Sequence, residues 1–140
     1  MIASFDLTGR RALITGAGSP TGIGFATAAL LGRMGATVHV TATTDRISER
    51  VAQLRAAGIE ATGSVADLTV EDQVQSLPTE VDLLVNNAGM ISVGNSFEDG
   101  SLADMSLATW QAGLRRNLDT AFLVSRHVLP EMARRGWGRV

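Results

Sequence analysis

Short apolar segments alternate with longer segments of helical periodicity along this chain, and no other feature restricts the possible folds as strongly. The first apolar segment, residues 11–15, is followed by a glycine-rich segment and then by Ile23, Ala26, Leu30 and Met34 at helical spacing. The same alternation recurs down the chain. Strands that alternate with helices are typical of right-handed βαβ units, which bring parallel strands together. The sequence therefore predicts an α/β fold built on a doubly wound parallel sheet.

Four strands and the start of a fifth are predicted, at residues 11–15, 37–41, 61–65, 81–86 and 138–140. Helices are expected at residues 23–34, 47–54 and 70–77, followed by a long helix over residues 107–135 with a bend near Pro130. No linker divides the sequence, so we expect one domain over residues 1–140, incomplete at its C-terminus. A sheet of this kind binds its ligand beyond the carboxyl ends of the strands.

Composition excludes several kinds of chemistry. All twelve basic residues are arginines, and the chain contains no lysine, tyrosine or cysteine. A Schiff-base lysine, a tyrosine acid and a cysteine nucleophile are therefore excluded from these residues, and we expect no metal site, since two histidines are too few. A net charge of −2 argues against a nucleic-acid partner, and no apolar run is long enough for a membrane span. We expect a cytoplasmic protein.

A glycine-rich turn follows the first strand. It contains Gly16, Gly18, Gly22 and Gly24 and directly precedes a helix. Glycines allow the backbone to turn sharply and to approach a pyrophosphate, and the N–H groups at a helix start point toward phosphates. A glycine cluster alone fits a plain turn equally well. Between a β-segment and an amphipathic helix, it favours a dinucleotide site.

Several motifs together resemble the short-chain dehydrogenase/reductase family, in its order and spacing. They are Thr15-Gly16 with Gly22-Ile23-Gly24, Asp67-Leu68 after the third strand, Asn86-Asn87-Ala88-Gly89 after the fourth, and Asn117 with Gly138-Arg139-Val140. The resemblance extends over essentially the whole chain and is nearest to the 3-oxoacyl-acyl-carrier-protein reductase-like branch. It implies a Rossmann fold and hydride transfer between a nicotinamide cofactor and a carbonyl or alcohol.

The resemblance also implies a role for each matched position. Gly16, Gly22 and Gly24 would shape the turn, with Ser19, Thr21 and Ile23 near the phosphates or ribose. Asp67 and Leu68 would contact the adenine. Asn87, Ala88 and Gly89 would line the adenosine ribose and stabilise the central sheet. From the residues alone, Asp67 could instead cap the helix near Val70, and Asn86 and Asn87 could be turn residues. The family's turn is shorter by a pair of residues, Pro20-Thr21 as we align it. We expect a wider loop that still delivers Gly22 to the helix start.

The end of the second strand indicates which dinucleotide is preferred. An acidic residue there would bind the 2′-hydroxyl of NAD and repel the phosphate of NADP. Ala42 stands at that position and is followed by Thr43, Thr44 and Arg46, whose side chains can bind a 2′-phosphate. Arg46 also fits a solvated position on the next helix, with Asp45 as its N-cap. The pattern favours NADP(H), with NAD(H) as the alternative.

Asn117 lies inside the long helix, where asparagine is unfavourable and needs a partner if buried. The resemblance implies that it holds a local distortion of the helix and a water in a proton relay, which makes it the candidate catalytic residue. The alternative is an exposed helical asparagine. The long helix also has an apolar stripe that four strands cannot cover, so we expect a homo-oligomer through residues 107–135.

The family's remaining catalytic residues are missing from the sequence. The resemblance places a serine, a tyrosine and a lysine beyond the strand that begins at Gly138, and the chain ends at Val140. One interpretation is the N-terminal, cofactor-binding part of an oxidoreductase for a small carbonyl or alcohol substrate, inactive alone. The others are a stand-alone, non-catalytic dinucleotide-binding or partner module, and an engineered piece. If no fifth strand followed, the fourth strand would be an exposed apolar edge of the sheet, which natural proteins avoid. This favours the interpretation as part of an oxidoreductase.

Overall fold

The structure is a computed structural model that describes residues 5–89 and 101–140. Its elements are β1 (Arg11–Ile14), α1 (Ile23–Arg33), β2 (Thr37–Ala42), α2 (Arg46–Ala56), β3 (Ala61–Val65), α3 (Glu71–Gln75), β4 (Leu83–Val85), α4 (Leu107–Leu114), a π-helical turn (Arg115–Asp119) and α5 (Thr120–Arg135). Strand β3 has its predicted bounds, and β1, β2, β4 and the first three helices differ from the prediction only by a residue or two at their ends.

The sheet is parallel throughout and has the order β3-β2-β1-β4. Arg139 lies on the outer side of β4, where its N–H donates to the carbonyl of Asp82 at 3.0 Å and its carbonyl accepts from Leu84 at 2.9 Å. The predicted doubly wound sheet is therefore confirmed, and the predicted start of a fifth strand lies beside β4.

Both faces of the sheet are covered, because successive residues of a strand point to opposite sides. In β1, Ala12 and Ile14 belong to one buried cluster and Leu13 to the other. The first cluster is completed by residues of α1 and α2, and the second by residues of α3 and α5. This is the three-layer arrangement that βαβ units produce.

The predicted long helix is interrupted by a π-helical turn that contains Asn117, and it continues through Pro130, where a bend is predicted. The π-helical turn separates α4 from α5, whereas α5 continues past Pro130 and ends at Arg135. Its buried residues Thr120, Val124, Val128 and Met132 follow one another at four-residue spacing and face the sheet. On the outer side, a row of large apolar side chains stays exposed: Leu107, Trp110, Leu114, Leu118, Phe122 and Leu129.

Asp82 fixes the segment after α5 to the edge of the sheet where the strands begin. The Asp82 side chain is buried; Oδ2 accepts the Arg11 N–H at 2.8 Å, and Oδ1 accepts from Nη1 of Arg135 at 2.8 Å. The Trp137 ring contacts two guanidinium groups, with the carbon of Arg10 at 3.8 Å and that of Arg139 at 4.9 Å from its ring centroid. These contacts hold Arg139 in register beside β4.

Candidate functional site

The glycine turn after β1 folds directly onto the segment that follows β4. Gly16 has a positive φ of 69°, and a Cβ there would lie 2.7 Å from the Cα of Ala88. Both the conformation and the close approach require glycine. The turn therefore lies at the carboxyl edge of the sheet, as predicted from the motif, between the ends of the neighbouring strands β1 and β4.

Thr15 and Asn87 join the ends of β1 and β4 by a set of hydrogen bonds. The Thr15 hydroxyl is buried and accepts the N–H groups of Asn87 and Ala88, each at 3.0 Å. The Asn87 amide nitrogen donates to the carbonyls of Thr15 and Gly16, again at 3.0 Å each. Asn87 thus satisfies backbone groups at this junction, which fits both the turn-residue alternative and the sheet-stabilising role that the resemblance implies.

Helix α1 begins immediately above this junction. Gly22 is its N-cap, and a Cβ on Gly24 would lie 2.6 Å from Nδ2 of Asn87 and 2.9 Å from the carbonyl oxygen of Gly16. The first turn of α1 carries no acidic residue. Its N–H groups, which lack partners within the helix, and the positive end of the helix dipole are therefore suited to bind an anion, with no carboxylate in the same turn.

The longer turn does deliver Gly22 to the helix start, as expected. The N–H of Gly22 donates to the Ser19 carbonyl at 3.2 Å, which closes the loop around Pro20 and Thr21. Ser19, Thr21 and Ile23 are exposed at the mouth of the turn. A Cβ on Gly18 would lie 2.9 Å from the Cβ of Ala42, so the loop packs against the end of β2.

Thr43, Thr44 and Arg46 form an exposed polar group beyond β2. Nε of Arg46 donates to Oγ1 of Thr44 at 3.2 Å, and Arg46 is the first residue of α2. Asp45 occupies the N-cap position, but its side chain makes no capping hydrogen bond. Hydroxyl and guanidinium donors are therefore gathered at this helix N-terminus.

Asp67 and Leu68 follow β3 at the same edge of the sheet. Oδ1 of Asp67 accepts from the N–H of Thr69 at 2.9 Å and from its hydroxyl at 2.7 Å. Asp67 is exposed, whereas the side chain of Leu68 is buried in the core. The N-cap of α3 is Val70, so Asp67 shapes the preceding turn and does not cap that helix.

Asn117 lies within the π-helical turn, next to Gly89. Its Nδ2 donates to the carbonyl of Gly113 at 3.0 Å, and a Cβ on Gly89 would lie 2.6 Å from its Oδ1. A π-turn leaves a helical carbonyl without its usual partner, and the asparagine side chain supplies one here. The helix is distorted at the residue where the resemblance implies a distortion.

Two further residues near the site escaped sequence reasoning as functional candidates. The Thr15 hydroxyl organises the junction described above, and Ser125 of α5 accepts a hydrogen bond from Nδ2 of Asn86 at 3.0 Å. A threonine at the buried end of a strand was a usable signal for the first. Nothing local indicated Ser125, which lies far along the chain from Asn86.

Among residues 5–89 and 101–140, no group of three or more His, Asp or Glu side chains could hold a metal ion, and no helix could cross a membrane.

An open parallel sheet of order 3-2-1-4, with a glycine turn leading from its first strand into a helix, defines the Rossmann class of nucleotide-binding folds. Residues 10–140 match the family model described as short chain dehydrogenase. The chain belongs to this family.

Individual relatives agree with the assignment. The chain is 34% identical to a 2-dehydro-3-deoxy-D-gluconate 5-dehydrogenase from Formosa agariphila, over 97% of this chain and 52% of that protein. It is also 34% identical to the 3-oxoacyl-(acyl-carrier-protein) reductase FabG of Pseudomonas aeruginosa, over 96% and 55% of the two chains. A crystal structure of a gluconate 5-dehydrogenase from Burkholderia cenocepacia, in complex with NADP and tartrate, superposes with a TM-score of 0.82 at 32% identity, over 96% and 53%. The chain thus spans about half the length of the relatives it matches.

Proposed function

We propose that this chain is the cofactor-binding part of an NADP(H)-dependent short-chain oxidoreductase, which interconverts a carbonyl and an alcohol by hydride transfer. The observation that carries the proposal is the close packing of α1 against Asn87. The Asn87 amide lies so near Gly24 that a Cβ there would overlap it. This contact holds the start of α1 at the carboxyl edge of the sheet, where its free N–H groups can bind a phosphate.

The residues fit a dinucleotide along the whole edge of the sheet. The turn from Gly16 to Gly24 would hold the pyrophosphate, with Ser19, Thr21 and Ile23 at its mouth. Asp67 and Leu68 would bind the adenine, and Asn87, Ala88 and Gly89 would line the adenosine ribose. The dinucleotide itself supplies or accepts the hydride when bound.

The end of β2 favours the phosphorylated cofactor. Ala42 offers no carboxylate to the ribose, and Thr43, Thr44 and Arg46 offer hydroxyl and guanidinium donors for a 2′-phosphate. Relatives in the same family are consistent with this choice, since the Burkholderia enzyme was crystallised with NADP.

Asn117 would act as a positioning residue on the substrate side. Its amide bonds the Gly113 carbonyl and its Oδ1 faces Gly89, so the side chain links the π-turn to the segment that would line the ribose. We infer that it holds one part of a proton relay. The proton-donating tyrosine and its lysine are not among these 140 residues, so the chain by itself should not turn over substrate.

Self-association through α4 and α5 is part of the proposal. The exposed row that contains Trp110, Leu118 and Phe122 is a group of large apolar side chains. Single apolar residues scattered over a surface need no explanation, whereas a group of them indicates an interaction site. A homo-oligomer would cover it. Sedimentation of the chain as a monomer at micromolar concentration would contradict this part of the proposal alone.

A calorimetric titration tests the cofactor. We expect NADP⁺ to bind more tightly than NAD⁺, and adenosine 2′,5′-bisphosphate more tightly than 5′-AMP. Preference for NAD⁺ would contradict the assignment of Ala42, Thr43 and Arg46. The alternative of a stand-alone, non-catalytic module predicts the same binding. Oxidation of NADPH by the 140-residue chain with any ketone would contradict both interpretations.

A further inference from the structure

Asn86 lies at the point where the chain bends at the end of β4. The N–H of Asn87 donates to the Val85 carbonyl, two residues back, at 3.0 Å, which closes a γ-turn around Asn86. The side chain of Asn86 ties this bend to α5, because its Nδ2 donates to Oγ of Ser125 at 3.0 Å. A serine 39 residues further along the chain therefore holds the bend.

The segment 86–89, which begins at this bend, is held at both ends by the helical region. Its first residue bonds to Ser125, and its last residue, Gly89, packs on Asn117 so closely that a Cβ would lie 2.6 Å from the Asn117 Oδ1. Eight residues of helix cover about 12 Å, and three steps of extended chain cover about 10 Å. The segment therefore runs antiparallel to the helix, and its length matches the spacing of its two anchors. Thr15 holds the two residues between them.

The Ser125 hydroxyl contributes to this segment and not to the core. The buried row of α5 consists of Thr120, Val124, Val128 and Met132, whereas Ser125 is only partly buried. Serine is also a poorer helix former than alanine, since its hydroxyl competes for backbone groups. The helix itself therefore gains nothing from a hydroxyl at this position, and the bond to Asn86 is what the hydroxyl adds.

We propose that Ser125 is a positioning residue for the bound dinucleotide. Through Asn86, its hydroxyl sets the direction of the segment 86–89, which would line the adenosine ribose. NADP and NAD share this ribose, so the effect should be the same for both and independent of the 2′-phosphate. The inference rests on the proposed function and adds to it a residue of α5 that no sequence motif indicated.

Two substitutions of Ser125 separate the effect of the hydroxyl from that of the helix. By calorimetry, Ser125→Ala should lower the affinities for NADP⁺ and NAD⁺ alike, about fivefold, although alanine is the better helix former. Ser125→Thr keeps the hydroxyl and should retain both affinities within about twofold, although threonine is the poorer helix former. Affinities that follow helix propensity, or that change in neither variant, would overturn the proposal.

A double-mutant cycle tests whether Ser125 acts through Asn86. In the Asn86→Ala background, Ser125→Ala should cause no further loss, because the bond is already absent. A fivefold loss that persists there would contradict the proposal. Ser76→Ala is the matched control, since its hydroxyl also makes a hydrogen bond, to the Gln73 carbonyl at 2.7 Å at the end of α3. It should leave both affinities unchanged.

Proton–nitrogen NMR measures the contact itself, without a ligand. The side-chain amide signals of Asn86 should shift in Ser125→Ala and stay near their original position in Ser125→Thr. Those of Asn87, whose amide donates to the carbonyls of Thr15 and Gly16, should not move in either variant. Loss of the Asn86 contact without loss of affinity would contradict this inference alone. Failure of the unaltered chain to bind either dinucleotide would instead contradict the proposed function, and this inference with it.

Discussion

The side chains of Thr15 and Asn87 bind each other's backbone between the ends of the neighbouring strands β1 and β4. The Thr15 hydroxyl accepts the Asn87 N–H, and the Asn87 amide donates to the Thr15 carbonyl, each at 3.0 Å. The two residues stand 72 positions apart in the chain. Their reciprocal pairing fixes the glycine turn to the end of β4, and the start of α1 depends on it.

Thr15→Val should destabilise the fold, because it leaves the N–H groups of Asn87 and Ala88 without their acceptor. We expect a loss of about 2–3 kcal/mol in the free energy of unfolding, measured by urea denaturation. Thr15→Ser keeps the hydroxyl and removes one methyl group, so its cost should be nearer 1 kcal/mol, roughly that of a buried methylene. Equal losses in the two variants would show that the hydroxyl contributes little.

Gly24→Ala should abolish dinucleotide binding. The added Cβ would meet both the Asn87 amide and the backbone oxygen of Gly16, so α1 would have to move away from the site. Gly113→Ala is the matched control, because its Cβ would meet nothing within 4 Å in helix α4. It should raise stability by about 0.5–1 kcal/mol and leave binding unchanged in the same titration.

Asp82→Ala should be among the more costly single substitutions in this chain. It removes one partner of the half-buried Arg135 and the acceptor of the Arg11 N–H, and breaking such a pair costs on the order of 3 kcal/mol. Glu80→Ala removes an exposed partner of Arg11 and should cost below about 1 kcal/mol. Thermal unfolding that ranks Glu80 above Asp82 would contradict the role given to Asp82.

His39 should make stability depend on pH. Its ring nitrogens each lie 2.8 Å from a hydroxyl, of Thr62 and Ser64, and burial lowers its pKa below the usual 6.5. Below pH 6.5 the unfolded chain therefore takes up a proton that the folded chain does not, so this contribution is complete above that pH and is lost as the pH falls toward the folded pKa.

Urea denaturation between pH 7.5 and 5 measures the effect. His39→Thr should reduce the acid-side loss of stability, whereas His127→Gln should retain it. An unchanged slope in the His39 variant would assign the pH dependence to the carboxylates instead.

Much of the architecture was predictable, because the periods of two and about 3.6 residues are local properties of the chain. Strand β3 and the ends of the long helical region were placed correctly on that basis. A bend was predicted near Pro130, the residue with a known local cause, and α5 continues through it, whereas the π-turn lies around Asn117. The distortion at Asn117 was expected from the family resemblance alone, and helical periodicity gave no sign of the contact between Asn117 and the distant Gly89.

The sequence by itself determined the order of strands and helices, the glycine turn, and the excluded chemistries, because each depends on residue types and their spacing. Only the tertiary structure decided what those residues touch. Three contacts join separate elements of the structure: Gly24 packs on Asn87, Asn117 packs on Gly89, and Arg50 lies beside Phe25. They exist because the parallel crossover brings distant strand ends and helix starts to one edge of the sheet, and no pattern along the chain records that proximity.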